Sequence, residues 1–392
     1  MSKNILDEID KKEIGRRLAT ARRQKRLTQD QAATLVGVAR TTMVAIEKGE
    51  RSVKPEELLA FAEVYEREVS DFVRVHPMRE LAIAQFRGPT YKNDEDLENI
   101  KPYIETLEEL SRNYWELEQM LGKSQKDKYP PQLQHVQLSG STGAEAAAIG
   151  ERNRLGLGDG PLPILRDLLE QEVGLYIFYF PMSDADGFSE IYFYNDTLGG
   201  CIAINSDHPE ERRRWSLSHA YGHFLGHRHE PSAKLDYGDI AESEVFADQF
   251  ASYFLMPTSS LIRKYAEIVK NGNTPTMADL FKLANYYGVS VPALALRLER
   301  MEYLPSGAAN RLKRRKVKVA DAMRELGLSP ILANDERLPQ RYRLLAVDAL
   351  LRGILSEGQF AYFMQLDLIR ARRIAEVVKG IENTTFHDNN EG

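Results

Sequence analysis

The chain is poor in the residues that define several protein classes. A single cysteine, Cys201, among 392 residues leaves no internal disulfide and no cysteine-based zinc knuckle. No apolar run reaches the ~18 residues that a membrane span needs. The opening MSKNILDEIDKKE is too charged for a secretory signal, so a cytoplasmic protein with no membrane partner is expected. Internal repeats and long low-complexity segments are missing too. Charge of one sign does not dominate: 52 basic residues stand against 58 acidic, a net charge of −6. That balance argues against a chain that coats nucleic acid along its whole length.

What is present is ordinary globular material, 43% hydrophobic and 28% charged, long enough for two or three domains. The charge is uneven. Residues 11–26 carry eight Lys or Arg against Glu13 alone. The first 75 residues hold 15 basic and 13 acidic groups, and the rest 37 against 45. A basic head on an acidic body places any nucleic-acid contact at the N-terminus.

Residues 9–74 read as short helices: IGRRLATARRQKR, QDQAATLVG, ARTTMVAIEKG and, after Pro55, EELLAFAEVYE. Gly37 and Gly49 sit where helix stops are expected, and Thr28 with Gln31 has capping-box spacing. Residues 101–122 form one amphipathic helix by period, read as a spacer or a dimerisation helix. Lys123 to Gly143 has linker composition. The runs 175–180, 190–194 and 201–205 predict a small, largely antiparallel sheet. From Arg212 onward the chain is mostly helical, including a basic RLKRRKVK (311–318) and a last helical region over 341–381. RLKRRKVK reads as a solvated face or as a supplementary phosphate contact. Residues 341–378 faintly echo a helix-turn-helix, with Ser356 as a cap, but better fit a plain helical cap over the body or a dimer surface.

Four of the eight histidines fall in SLSHAYGHFLGHRHE, at 219, 223, 227 and 229. On a helix His219 and His223 share a face and can point two imidazoles at one ion about 2 Å from each nitrogen. Such a pair also arises by chance. Downstream, Glu244 opens EVFADQFASYFLMP, whose helix can supply a third ligand and leave a fourth position open. Asp248, one turn on, is placed to accept the other ring N–H of a ligating histidine. His227 reads either as a packing residue or as a neighbour of the site, and His229 as solvent-facing. Tyr237 and Tyr253 are possible oxyanion donors.

These blocks, with AIN (203–205), GLGDGPLPILRDLLEQEVGLYIF (156–178) and VSVPALALRLERM (289–301), resemble the ImmA/IrrE family of zinc metallopeptidases over roughly residues 140–303. The resemblance implies Zn²⁺ held by His219, His223 and Glu244. It also exposes a departure. The family's H-E-x-x-H glutamate is Ala220 here, and that carboxylate takes the proton from the attacking water and later delivers it to the leaving amine. The chain as written is expected to bind zinc and hydrolyse peptides poorly or not at all. Two readings stand: deliberate inactivation of a peptidase, or a natural pseudoprotease that kept its metal.

Residues 14–66 resemble the phage-repressor (Xre/Cro) helix-turn-helix. Leu27-Thr28-Gln29 opens its first helix, Gly37-Val38 makes the turn, and Arg40 to Ile46 forms the recognition helix. By that resemblance Arg40, Thr41 and Thr42 read bases in the major groove, while Gln29 and the Arg16–Arg26 cluster, including Arg22 and Arg23, touch phosphates. Ala39 stands where a capping serine is usual. A helical dimerisation module without DNA binding is the alternative.

The expected class is α+β and predominantly helical: an all-α DNA-binding head (1–76), a helical spacer and linker (77–139), a zincin-like metallopeptidase domain (140–304) and a helical C-terminal region (305–392). The resemblance implies a homodimeric regulator of its own operator. Its body would cleave a repressor- or antitoxin-like protein, encoded nearby, or its own linker, in a stress, mobile-element or phage-defence circuit. The rivals are a repressor whose body only senses a ligand or partner, and an antitoxin-like binding protein.

Overall fold

Short apolar periods in the first 72 residues build four helices: α1 (Lys11–Gln24), α2 (Gln29–Val36), α3 (Arg40–Glu47) and α4 (Pro55–Tyr65). The computed structural model describes residues 11–25, 27–65, 67, 69, 72, 94–134, 140–182, 188–229, 237–270, 275–314, 319–329, 331 and 334–387. For 13, 20, 24, 94–98, 237–241, 319–321 and 381–387 it describes the backbone alone. The chain divides into two units, 1–80 and 81–392.

In the first unit Leu18, Ala33, Met43, Ile46, Phe61 and Tyr65 form the core. Thr28 caps α2 reciprocally: its hydroxyl accepts from Gln31 N at 3.2 Å, and Gln31 Oε1 accepts from Thr28 N at 2.9 Å. The helix stops at Gly37, whose left-handed backbone (φ 79, ψ 28) suits a residue without Cβ. Ala39, the residue before α3, provides no side-chain cap.

The second unit opens with α5 (Asp94–Leu121) and α6 (Gly140–Arg154), then a short α7 (Leu165–Leu168). Three strands follow, β1 (Tyr176–Phe180), β2 (Glu190–Asn195) and β3 (Gly199–Asn205). Then come α8 (Glu210–His227), α9 (Tyr237–Leu255), α10 (Thr258–Ile268), α11 (Met277–Tyr287) and α12 (Val291–Arg300). The chain ends with α13 (Ala308–Arg314), α14 (Val319–Glu325), α15 (Gln340–Leu351), α16 (Glu357–Met364) and α17 (Leu368–His387). The unit is mostly helical with one small sheet, as the sequence suggested. No helix among the described residues is long and apolar enough to cross a membrane.

The sheet is mixed rather than largely antiparallel. Its order is β1-β3-β2: β2 and β3 pair antiparallel as a hairpin, but β1 lies parallel to β3, with Tyr176 opposite Cys201 and Phe180 opposite Asn205. Alternate residues enter two separate cores. Ile177, Tyr179, Tyr192, Ile202 and Ile204 face α6 to α9, whereas Tyr176, Phe178, Ile191, Phe193 and Ala203 face α5 and the C-terminal helices.

Helix α5 is therefore no spacer. Ile104, Leu107, Leu110, Tyr114 and Leu117 are buried in the second core, because strands apolar on both faces need cover on both. Tyr114 stacks on Tyr176 at 4.2 Å and donates to Glu170 at 2.6 Å, while Tyr176 donates to Glu118 at 2.8 Å. Arg341, at the start of α15, pairs with that same Glu118. The C-terminal helices add Tyr342, Ala346, Phe360, Phe363 and Ala371 to this core. Of the linker read at 123–143, residues 135–139 lie outside the described residues, as do 315–318 of RLKRRKVK.

Candidate metal centre and nucleic-acid interface

Helix α8 starts just after β3 and is buried along most of its length, so His219 and His223 point into a fixed place. They lie four residues apart and share a face. Helix α9 crosses α8 closely where Gly222 meets Ala247 and Phe250, and Phe246, Phe250 and Phe254 stack along its inner side. That crossing delivers Glu244 to the histidines. His219 Nε2 and His223 Nε2 are 2.9 Å apart, and each is 3.2 Å from an oxygen of Glu244. Two nitrogens and a carboxylate oxygen around one tetrahedral ion, about 2.0–2.1 Å from each, stand roughly 3.3 Å from one another. The donor set fits a zinc-sized ion.

Asp248 completes the arrangement from α9, its Oδ1 3.0 Å from His219 Nδ1. That bond fixes the ring so that Nε2 turns to the cluster. Electrostatics agree with a cation site. Burial works against charge on His219, yet its hydrogen bonds to Asp248 and Glu244 raise its pKa to about 10. Burial would raise Glu244, but its hydrogen bonds with the two histidines hold it well below the usual carboxylate range. Glu244 and Asp248 keep 37% and 57% of their side-chain surface, so solvent or a ligand reaches the cluster from the α9 side.

Ala220 is buried at 1% exposure beside this cluster in sequence, and its methyl group can neither take nor give a proton. His227 is buried one turn past His223, its ring 5.7 Å from that of His223 and edge-on to Phe246. His229 is exposed with its ring against Tyr194. Tyr253 is not brought to the cluster. It lies half a turn round α9 from Glu244 and about 13 Å along the axis, and Arg297 stacks over its ring at 3.9 Å. The side chain of Tyr237 lies outside the described residues.

One residue near the cluster was missed from the sequence. Glu190 opens β2, the edge strand beside α8. Burial pushes its carboxyl up, opposed by the charge of His219 and a hydrogen bond from Ser216. The only hint was an acid leading the otherwise apolar run EIYFY.

In the head, Arg40 and Thr41 at the start of α3 are exposed and Thr42 is half-buried. Arg23 is exposed on α1. Arg22 and Gln29 are not free phosphate contacts. Arg22 is nearly buried in a two-pronged pair with Glu47, at 2.6 and 3.1 Å, and Gln29 donates to the same carboxylate at 2.7 Å. Both act as braces between α1, α2 and α3. Arg17 likewise donates to the Phe72 carbonyl at 3.2 Å, and Arg26 lies outside the described residues.

A helix-turn-helix head and a body with a two-histidine, one-glutamate cluster define a regulator joined to a metallopeptidase-type domain. Comparison with known families agrees. Residues 13–71 match a helix-turn-helix domain, and residues 170–299 match the IrrE N-terminal-like domain of peptidase family M78. The chain thus carries the two domains in the order the motifs indicated. No curated protein matches it.

Proposed function

We propose that this protein is a DNA-binding transcriptional regulator whose zinc-peptidase body is silent because position 220 is alanine. The observation that carries the reading is the convergence of His219, His223 and Glu244 at zinc-ligand spacing, with Asp248 behind His219 and no carboxylate at 220. Zinc, when bound, polarises a scissile carbonyl and a water molecule. His219 and His223 present Nε2, Glu244 presents its carboxylate, and Asp248 holds the His219 ring. A glutamate at 220 would supply the missing proton acceptor and donor. The natural substrate class is a protein, with a repressor- or antitoxin-like partner or this chain's own linker the leading choices. The head, as a dimer, targets an operator and reads it through Arg40, Thr41 and Thr42.

Metal analysis and mapping of new protein N-termini test this together. The chain and its Ala220→Glu variant should each hold one zinc, and His223→Ala and Glu244→Ala should lose it. Cells expressing Ala220→Glu should show termini missing both from the parent chain and from Ala220→Glu combined with His223→Ala. A folded, zinc-loaded Ala220→Glu chain that yields no new termini would refute the peptidase reading. The body would then be a partner-sensing module.

A further inference from the structure

The C-terminal helices repeat a backbone pattern of the head that the function above does not use. Ser356 caps α16 as Thr28 caps α2. Its hydroxyl accepts from Gln359 N at 3.2 Å, and Gln359 Oε1 accepts from Ser356 N at 2.9 Å, the same two distances as in the head. Each cap leads an eight-residue helix that ends in a left-handed residue, Gly37 or Gln365 (φ 54, ψ 38). The next N–H then returns to the carbonyl of Ala33 or of Ala361, at 2.9 Å in both. The following helix opens three residues after the left-handed one, at Arg40 or Leu368. The buried positions correspond as well: Ala32, Ala33 and Met43 in the head, Phe360, Ala361 and Ala371 here.

The turn alone would not suffice. A left-handed Gly288 also precedes α12, but Leu294, Ala295, Arg297 and Leu298 of that helix are buried. Helix α17 buries only Ala371 and Ala375 up to residue 380. Leu368 and Ile369 are 40% and 76% exposed, and Arg370, Arg372, Arg373 and Lys379 are exposed around them. Residues 340–380 hold seven basic and four acidic groups, in a body that is otherwise acidic. Glu357 lies 3.3 Å from Arg372 and 3.6 Å from Lys379, and Asp367 lies 3.4 Å from Arg370. Such exposed pairs are weak and exchange readily for phosphate.

We propose that residues 340–380 form a second helix-turn-helix that binds duplex DNA, with the start of α17 entering the major groove. Leu368 and Ile369 meet thymine methyl groups, and Arg372 and Arg373 take phosphates or guanine edges. The protein would then read two different sequence elements, one through each end.

The test uses the full chain in four forms: unchanged, Arg40→Ala with Thr41→Ala, Arg372→Ala with Arg373→Ala, and all four changes. Duplexes are selected from a random pool with the unchanged chain, and binding is followed by fluorescence anisotropy from 50 to 200 mM salt. The head variant should keep salt-dependent binding. Adding the α17 changes should weaken it at least tenfold and lower the slope of log affinity against log salt by about 2. Leu368→Ala with Ile369→Ala should alter the selected sequence with the slope unchanged. All these positions are exposed, so unfolding curves should coincide. Unchanged affinity and slope on removing Arg372 and Arg373, or loss of all DNA binding in the head variant alone, would overturn the proposal. The α17 face would then be a protein-docking surface.

Discussion

Gly222 sits between His219 and His223 on α8, where α9 packs closely against it. A Cβ at that position would lie 3.1 Å from Ala247 Cα and 3.2 Å from Phe250 Cδ1. Comfortable carbon contacts are about 3.5–4.0 Å, so Gly222→Ala forces α9 away by roughly half an ångström. Alanine gains ~1 kcal/mol of helix propensity, and overpacking costs about 1–3 kcal/mol, so the fold should lose about 0–2 kcal/mol. The effect on metal should be larger. Glu244 rides on the same helix, and metal–ligand distances tolerate only about 0.2 Å. At least a tenfold loss of zinc affinity is expected. At free zinc a thousandfold above the parent Kd, stabilisation by metal would fall from about 4.1 to about 2.7 kcal/mol. In thermal melts with and without zinc, the increment in Tm should shrink by about 2–3 °C. A Gly222→Ala protein that melts higher in both conditions, with its zinc increment intact, would show that close helix approach does not set the cluster.

Glu47→Ala should cost the head about 3–5 kcal/mol, because it leaves the Arg22 guanidinium buried without its carboxylate and frees Gln29. Chemical denaturation followed by circular dichroism measures this, and a loss under 1 kcal/mol would contradict the brace. Arg40→Ala should leave stability unchanged and lower operator affinity by about 1–3 kcal/mol, or roughly 5- to 150-fold, read by titration of labelled duplex. An equal loss on every duplex sequence would make Arg40 a phosphate contact. Tyr342→Ala should cost about 3–5 kcal/mol, since its ring is fully buried against Tyr114 at 5.2 Å and its hydroxyl donates to the Phe363 carbonyl at 2.8 Å. It should spare zinc stoichiometry, and loss of metal in a still-folded variant would count against separate cores.

The grouping of His219, His223 and Glu244 was legible because its pattern is local. Two histidines on one face and a carboxylate four residues before an aspartate are periodic signals, and the packing of α8 on α9 had only to bring them together. Charge was a poorer guide. Arg22 and Gln29 belong to a run that looks like a phosphate-binding face, but Glu47, far along the chain, claims both. Strand spacing showed three strands and suggested a largely antiparallel sheet, but not that β1 would pair parallel on the far edge of β3, since pairing order is a tertiary choice. The burial of α5 followed from a clue that was present. LYIFYF is apolar at both parities, which a one-sided antiparallel sheet does not need. The second turn was faint because Gln365 occupies the left-handed position where glycine is the usual signature.

The mixed sheet explains how one unit holds two kinds of surface. Its first face supports α8 and α9, whose crossing fixes the ligand spacing. Its second face carries α5 and α15 to α17. Cys201 and Ile202 are neighbours on β3, yet one faces the C-terminal core and the other the metal-side core. Arg213, on α8 two turns before His219, ties the segment before α15 to the sheet: it pairs with Asp335 at 2.8 Å and lies over Tyr179 of β1. Arg166 also bridges, donating to the Ile177 carbonyl at 2.8 Å and to the Arg337 carbonyl at 3.0 Å. The segment leading into α15 is thus fastened to the metal-side layer by two buried guanidiniums. Any coupling between metal occupancy and the C-terminal helices would have to pass through those contacts or through the strands themselves, since the apolar packing of the two faces is otherwise separate.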